Sequence, residues 1–104
     1  MLDCTRFYID GQWCAPVGAE LLDVINPATE QVCARISLGT QADVDAAASA
    51  ASRAFKDFST SSREERLALL DAVIVEYKKR YNDIADAITE EMGAPKKLSM
   101  QAQA

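Results

Sequence analysis

The sequence predicts an α+β chain, with strands and turns in residues 1–39 and helices in residues 40–104. Two observations support this division. The first part has short apolar and aromatic runs between turn residues, which is typical of β-hairpins. In the second part, apolar residues recur every three or four positions, which is typical of amphipathic helices. A chain of 104 residues forms at most one small domain.

Two hairpins are predicted in the strand region. In RFYIDGQWCA, Asp10-Gly11 separates two apolar runs, and glycine accepts the positive φ that a type I′ turn needs. In LLDVINPATEQVCARI, Asn26-Pro27 begins a turn, because proline fixes φ and has no N–H to donate. Positions 31–36 then alternate between two faces, which indicates a strand with one face in water.

Two long helices and the start of a third are predicted to follow. Thr40 and Asp43 form a capping box at the start of the first helix, and Ser61 and Glu64 offer another before the second. An alanine-rich apolar stripe runs along the first helix, so another element can approach it closely. The residues of this stripe are Val44, Ala47, Ala48, Ala51, Ala54, Phe55 and Phe58.

The second predicted helix runs from about Arg63 to Met92, and Gly93 and Pro95 separate it from a third that starts at Lys96. A helix of this length is roughly 45 Å long, whereas a compact domain of this size has a radius of gyration of only ~13 Å. We therefore expect apolar partners from another subunit, from a swapped copy or from more of the same protein. The stripe to be covered contains Leu67, Leu70, Ile74, Tyr77, Tyr81, Ile84, Ile88 and Met92.

Composition argues against several classes of function. The net charge is −5 and the pI is about 4.6, which argues against non-specific binding of nucleic acid. Cys4, Cys14 and Cys33 have no CxxC spacing, which favours a reducing cytoplasm over a disulfide framework. No apolar run approaches the ~20 residues of a membrane-spanning helix.

The same composition leaves little material for catalysis. Without histidine, neither a Ser-His-Asp triad nor a Cys-His pair can be built. The four glycines form no phosphate-binding motif. Adjacent Glu90 and Glu91 point in different directions on a helix, so they make a poor acid–base pair. Packing is the favoured role of the three cysteines, none of which lies at an evident helix N-terminus.

Several segments follow one another in a recognisable order. FYIDGQW precedes DVINPATEQVCARISLGTQADVDAAASAASRAF, which precedes REERLALLDAVIVEYKKRYNDIADAITEEMGAPKKLS. In this order and spacing they resemble the N-terminal part of the NAD(P)-dependent aldehyde dehydrogenase family, over about residues 6–104. The resemblance implies that residues 1–104 are an N-terminal fragment of the cofactor-binding domain in an α/β Rossmann-like fold.

Family members are several times longer, so the resemblance implies a chain that continues beyond Ala104. The implied reaction uses NAD or NADP and water to oxidise an aldehyde to a carboxylic acid. The family's cysteine nucleophile, its glutamate base and its main cofactor contacts lie outside the matched region. We therefore expect no catalytic or cofactor-binding residue in this chain, and the isolated chain is expected to be inactive and to bind no cofactor.

The resemblance also implies a monovalent cation site. Some members similar to betaine aldehyde dehydrogenase bind such a cation through backbone carbonyls before the Asn-Pro turn and through an acid two residues before the helix-ending glycine. Those positions are Val24, Ile25 and Glu91 here. Oxygen ligands suit a hard cation. Aspartate is frequent where this chain has Glu91, and a solvated surface glutamate is the alternative interpretation.

Three hypotheses compete. The chain is a segment of a cytoplasmic, oligomeric aldehyde dehydrogenase, with the remainder of the parent chain and an aldehyde as its partners. Alternatively, it is a stand-alone helical interaction or oligomerisation module without activity, which associates with itself through the long helix. The third hypothesis is a small protein derived from the enzyme and kept for a regulatory role. The first is favoured because the pattern stops within a helix, and neither nucleic acid nor membrane is expected as a partner.

Overall fold

The computed structural model describes residues 1–18 and 20–104, so Ala19 of the predicted strand region lies outside the described residues. Strands come first and helices follow after residue 40, which confirms the predicted fold class. The elements are β1 (Leu2–Cys4), β2 (Phe7–Ile9), β3 (Gln12–Cys14), β4 (Leu21–Asn26), β5 (Gln31–Ser37), α1 (Gln41–Phe58), α2 (Arg63–Lys79), α3 (Tyr81–Met92), α4 (Lys96–Leu98) and a π-helical turn (Ser99–Gln103).

The chain divides into two compact units. The first unit contains residues 1–24 and 32–60, and the second contains residues 25–31 and 61–104. In the first unit, a three-stranded sheet has the order β1-β5-β4. Strand β1 runs parallel to β5, with Leu2 opposite Ala34 and Cys4 opposite Ile36.

The predicted hairpin at Asp10-Gly11 is confirmed. Strands β2 and β3 pair antiparallel, with Phe7 opposite Cys14. Asp10 and Gly11 have φ angles of 54° and 75°, and two consecutive positive φ values are the signature of a type I′ turn. On the flanking strands, the rings of Tyr8 and Trp13 lie 5.2 Å apart, centroid to centroid.

Helix α1 begins with the predicted capping box. Asp43 N–H donates to the Thr40 hydroxyl oxygen, and Thr40 N–H donates to the Asp43 carboxylate. No residue of the predicted apolar stripe is buried. The buried residues of α1 are Asp43 and Ala50, which lie outside the stripe. Phe55 in the stripe is 66% exposed. The stripe marks a surface that the described residues leave largely uncovered.

The predicted helix from Arg63 to Met92 is divided in two by Arg80. Arg80 leaves helical geometry with φ −103° and ψ 8°. Its N–H donates to the Tyr77 carbonyl, three residues back, at 3.0 Å. The Ile84 N–H then donates to the Arg80 carbonyl at 3.0 Å and begins α3. No proline or glycine lies at this break, and the three- and four-residue spacing of apolar residues continues across it. The sequence pattern therefore predicted one helix.

The predicted capping box of the second helix is wrong by one residue. Ser62 and Glu65 form it, in place of Ser61 and Glu64. Ser62 N–H donates to the Glu65 carboxylate at 2.7 Å, and Glu65 N–H donates to the Ser62 hydroxyl oxygen at 3.1 Å. Two serines and two glutamates in sequence offer the same spacing in both registers, and the structure selects the later one.

The second unit also contains the predicted turn after Asn26. The side-chain oxygen of Asn26 accepts from Ala28 N–H at 2.9 Å, and its carbonyl accepts from Glu30 N–H at 2.8 Å. Glu30 has a φ of 58°, so a residue other than glycine adopts the left-handed conformation at the end of this turn.

Helix α3 ends at Gly93, as predicted. This glycine has a φ of 71° and donates its N–H to the Thr89 carbonyl at 3.0 Å, as is typical of a left-handed helix cap. The segment after Pro95 packs back on α3. Ala85 of α3 and Ser99 are fully buried there, and the hydroxyls of Ser99 and Thr89 lie 2.8 Å apart.

Candidate functional site

The buried apolar side chains of residues 1–18 and 20–104 are all alanines: Ala34, Ala50 and Ala85. Burial of a larger apolar side chain stabilises a fold by about 1.5–3 kcal/mol, and alanine contributes much less. Little hydrophobic stabilisation is therefore available within the described chain, although 49% of its residues are hydrophobic. Most of the large apolar side chains face solvent.

Seven of these side chains lie on α2, and we name this group the α2 surface. The group is not confined to one stripe, because Leu69 and Val73 form a row beside the row of Leu70 and Ile74. A broad apolar face is typical of a helix that packs against other elements of a protein interior. The α2 surface consists of Leu67, Leu69, Leu70, Val73, Ile74, Val75 and Tyr77, which are 41–57% exposed.

One of the predicted cation ligands, Val24, lies in the first unit. It is half-buried near the end of β4. Its carbonyl oxygen accepts a hydrogen bond from the Cys33 thiol, with Sγ 3.3 Å from the oxygen. This thiol–carbonyl bond has no signal in the sequence, since it depends on the pairing of two strands.

Ile25 and Glu91, the other two predicted ligands, belong to the second unit, and both are exposed. Two residues after each of them, Pro27 and Gly93 come into close contact. A Cβ placed on Gly93 would lie 2.7 Å from Pro27 Cγ. The Asn-Pro turn and the C-terminal end of α3 are therefore neighbours in this unit. Glycine is required at position 93 for this approach as well as for its left-handed φ.

Metal binding through side chains finds little support in the described residues. Across residues 1–18 and 20–104, no three His, Cys, Asp or Glu side chains are grouped so that they could hold a metal ion. The predicted cation site relies on two backbone carbonyls and one carboxylate, and such an oxygen set suits a hard monovalent cation.

The three cysteines occupy different surroundings. Cys4 is exposed in β1, whereas Cys14 and Cys33 are half-buried, and all three are free thiols. The Cys14 thiol lies 3.6 Å from the Gln12 carbonyl oxygen and 3.9 Å from the Ile9 carbonyl oxygen. The Cys33 thiol thus contacts the backbone of the neighbouring strand β4, whereas the Cys14 thiol contacts the backbone of its own strand and of β2.

Asp43 is a buried charged group. The sequence predicted its capping bond with Thr40 but not its bond with Val17. Its carboxylate accepts from Thr40 N–H at 2.8 Å, as a cap does, and also from Val17 N–H at 2.8 Å. The pKa of Asp43 is lowered, first by the Thr40 backbone N–H and then by the N–H of Val17, while burial opposes the shift. The charged carboxylate therefore ties the chain near residue 17 to the start of α1.

An open cleft of about 420 Å³ lies in the first unit, beside β1 and β5. Among its lining residues are Asp3, Thr5 and Arg35. The Asp3 carboxylate accepts from the Thr5 hydroxyl at 2.7 Å, and the Arg35 Nε donates to Asp23 at 2.6 Å. The hydrogen bond with Asp23 raises the pKa of Arg35. These charged groups thus have partners in the protein, and the cleft offers no evident catalytic group.

Within the part of the chain that the structure describes, no helix has both the length and the apolar character needed to cross a bilayer.

Residues 13–103 match the model of the aldehyde dehydrogenase family. The chain is 53% identical to a 3-succinoylsemialdehyde-pyridine dehydrogenase from a Pseudomonas species over 95 residues, which are 91% of this chain and 20% of that protein. The chain therefore spans about a fifth of the length of this curated relative.

Solved structures agree with the sequence match. An aldehyde dehydrogenase from Bartonella henselae superposes on 99% of this chain with a TM-score of 0.97 and 44% identity, using 22% of its own length. A variant aldehyde dehydrogenase from Pseudomonas syringae, solved with NAD+ and octanal, covers 96% of this chain with a TM-score of 0.94 and 39% identity. This chain corresponds to 21% of that enzyme.

Proposed function

The chain belongs to the aldehyde dehydrogenase family, and we propose that it forms the N-terminal part of the cofactor domain in an enzyme that oxidises an aldehyde to a carboxylic acid. The observation that carries this proposal is the close superposition of nearly the whole chain on a fifth of a family member, with a TM-score of 0.97. Such a segment contributes folded structure to the enzyme, while the reacting groups come from the rest of the chain.

The proposed overall reaction consumes an aldehyde, water and NAD(P)+, and it yields a carboxylic acid, NAD(P)H and a proton. The dinucleotide accepts the hydride from the aldehyde carbon when it is bound. NAD is supported by the Pseudomonas syringae enzyme, which was solved with NAD+. The proposed substrate class is aldehydes in general, because the names of the relatives point to both a pyridine semialdehyde and octanal.

The α2 surface supplies the physical reason for a longer parent. Its side chains are about half exposed in this chain, although their apolar character suits an interior. We propose that the remainder of the parent chain covers them. Oligomerisation of the parent and a cytoplasmic location are further parts of the proposal, and three free cysteines support a reducing compartment.

Cation binding belongs to the proposal as well. The carbonyls of Val24 and Ile25 and the carboxylate of Glu91 would hold a monovalent cation such as K+, which would be a structural ion. The support is the oxygen chemistry of the ligands and, for Ile25 and Glu91 alone, the contact between Pro27 and Gly93 within the second unit.

A chimeric enzyme tests the proposed function. The matching segment of the Pseudomonas dehydrogenase is replaced by this chain, and NADH formation is followed with the aldehyde which that dehydrogenase oxidises. We expect turnover within about tenfold of the parent enzyme, because the replaced segment carries no reacting group. A chimera that folds and binds NAD+ but does not oxidise the aldehyde would refute the proposal.

Two variant chimeras sharpen this test. Leu70→Glu with Ile74→Glu places charges on the α2 surface, and we expect it to prevent folding or abolish turnover, because a buried unpaired charge is strongly destabilising. Lys78→Gln, which changes a charged residue at the end of the same helix, serves as the matched control and should remain active.

The second candidate function is an interaction module that associates with itself through the α2 surface. The exposure of that surface in the 104-residue chain favours it. Analytical ultracentrifugation of the purified chain separates the two candidates. A discrete dimer or tetramer at low micromolar concentration supports the interaction module. A broad, concentration-dependent distribution of sedimentation coefficients supports an enzyme segment whose α2 surface is normally covered by the rest of the parent chain. The isolated chain is expected to oxidise no aldehyde with NAD or NADP.

A further inference from the structure

We propose that Arg80 binds an Asp or Glu carboxylate from the remainder of the parent chain, and that an apolar part of the same segment fills the cleft beside Arg80. This inference rests on the proposed function. It adds to that function the chemistry of the segment that covers one end of the α2 surface.

The cleft lies within the second unit, where α2 ends and α3 begins, and its volume is about 450 Å³. Its lining residues fall into two rows with a spacing of four, and residues four positions apart share one face of a helix. They are Ala72, Val73, Glu76, Tyr77, Arg80 and Ile84. Val73 and Tyr77 are 55% and 41% exposed, and Ile84 is half-buried. The cleft is thus an open, mainly apolar depression with two charged residues.

The two charged residues of the cleft differ in their partners. The Glu76 carboxylate oxygen lies 2.6 Å from Lys79 Nζ, so this acid already pairs with a cation. Arg80 is exposed and forms backbone hydrogen bonds with Tyr77 and Ile84. Within the part of the chain that the structure describes, its guanidinium has no ion pair. This guanidinium is therefore available to an anion from outside the 104 residues.

A segment that covers the cleft must also satisfy this guanidinium. Packing on Val73 and Tyr77 removes water from the neighbouring arginine, and a guanidinium that loses water without gaining an anion is strongly destabilising. A carboxylate is the best protein partner, because it accepts two parallel N–H bonds from the guanidinium. The remainder of the parent chain is the proposed source, since the chain spans only 20% of the Pseudomonas dehydrogenase.

Chemical cross-linking of the chimeric enzyme is the first test. Arg80→Lys places an amine at this position, and a water-soluble carbodiimide joins a lysine amine to a carboxylate in direct contact. We expect mass spectrometry of the digest to show residue 80 joined to an Asp or Glu in the part that comes from the Pseudomonas dehydrogenase. Lys79, whose amine lies 2.6 Å from Glu76, should give a local cross-link with or without the substitution and serves as the control of the reaction.

The rate of thermal inactivation of the same chimera is the second readout. Arg80→Gln removes the charge and should raise this rate about tenfold at low ionic strength, which is the range of one hydrogen-bonded ion pair. Arg80→Lys keeps the charge and should recover most of the difference. Lys97→Gln removes another exposed charge of the second unit, from α4, and should match the unsubstituted chimera.

The outcomes separate this inference from the proposed function. Suppose that the unsubstituted chimera oxidises its aldehyde, that residue 80 is joined only to Glu76 or to nothing, and that Arg80→Gln inactivates no faster than Lys97→Gln. The proposed function then stands and the role of Arg80 is refuted. A covalent dimer joined through residue 80 would refute the remainder of the same chain as the occupant and would assign the cleft to a subunit contact. A chimera that folds and binds NAD+ without oxidising the aldehyde would refute the proposed function, and this inference with it.

Discussion

Different kinds of hydrogen bonds stabilise the interior of each of the two units. In the first unit, polar hydrogen bonds join residues that are far apart in sequence. Val17 bonds to Asp43 across 26 positions, and the Ser37 hydroxyl donates to the Thr5 carbonyl across 32 positions at 2.7 Å. In the second unit, the bond between Thr89 and Ser99 spans only 10 positions.

This difference shows how two small units can reach a defined structure by separate routes. In the first unit the described buried apolar side chains are only Ala34 and Ala50, and directional hydrogen bonds join its distant residues. The second unit consists of helices whose backbone bonds are local, and its α2 surface stays open. Both units leave large apolar side chains exposed, such as Phe55 in the first and Leu70 in the second, but among the described residues only the first unit has side-chain hydrogen bonds that span more than 20 positions.

The largest effect is expected at the glycine of the second unit. Gly93→Ala combines the cost of a left-handed φ of 71° with a Cβ placed 2.7 Å from Pro27 Cγ. We expect a loss of roughly 2–4 kcal/mol in the free energy of unfolding, measured by urea denaturation. Gly11→Ala is the control, because its φ of 75° is similar but its Cβ would meet open space. It should cost only the left-handed penalty of about 1–2 kcal/mol, and equal losses would refute the Pro27 contact.

A pH-dependent effect is expected in the first unit. The pKa of Asp43 is lowered in the folded state, so its contribution is fully present above the pKa of an unfolded aspartate, about 3.9. That contribution is lost as the pH falls through the lower, folded-state pKa. Asp43→Asn should therefore be less stable at pH 7, and its disadvantage should shrink as the pH falls from about 5 towards 2.

The control for this prediction is Asp45→Asn. Asp45 is exposed and accepts a hydrogen bond from the Gln41 side chain at 2.8 Å. Thermal unfolding midpoints between pH 2 and pH 7 should show almost no difference between this variant and the wild type. If the difference between the wild type and Asp43→Asn does not change with pH, the carboxylate is not the tie that we infer.

A smaller effect is expected when one hydroxyl is removed from each unit. Ser99→Ala deletes a fully buried hydroxyl and leaves Thr89 without its partner 2.8 Å away, so we expect a loss of about 1–2 kcal/mol. Thr60→Ala deletes an exposed hydroxyl that donates to the Asp57 carbonyl at 2.8 Å. Water can replace that bond, so the loss should stay within about 0.5 kcal/mol. If Ser99→Ala and Thr60→Ala lower the free energy of unfolding equally in chemical denaturation, the Ser99 hydroxyl does not contribute as a buried group.

The smallest effect on stability is expected on the α2 surface. Leu70→Lys should change the free energy of unfolding by no more than about 0.5 kcal/mol, because the side chain is already 57% exposed. The same variant should bind less of a hydrophobic dye than the wild type, and Lys78→Gln should leave dye binding unchanged. A loss of several kcal/mol would instead mean that a second copy of the chain covers α2 in solution.

Local features could be predicted from the sequence, and tertiary features could not. The Asp10-Gly11 turn and the Thr40 cap depend on residues within four positions of one another, so their chemistry is visible in the chain. The hydrogen bond from Val17 N–H to Asp43 depends on how a loop packs against a helix, and no residue pattern in the sequence indicates it. The break at Arg80 has no signal in the sequence either, because neither proline nor glycine lies there.

For the candidate site, too, the sequence predicted residues, whereas the contacts between them needed the structure. Val24, Ile25 and Glu91 were selected by a family resemblance, and cation binding at these positions stays a prediction. The family itself is confirmed by the match over residues 13–103. The contact between Pro27 and Gly93 and the bond from Cys33 to Val24 needed the structure, because each joins segments that the sequence pattern treats separately.

The parallel pairing of β1 with β5 has a consequence for the order of folding. Leu2 lies opposite Ala34, so β1 cannot complete its pairing until the later residues of β5 have been synthesised. The β2–β3 hairpin needs only its own few residues and can form within about 1–10 μs. Within this sheet, β1 precedes β4 and β5 in the chain and is nevertheless expected to be the last strand to pair. In a pulse-labelling experiment, the amides of residues 2–4 should gain protection from hydrogen exchange after those of residues 7–14.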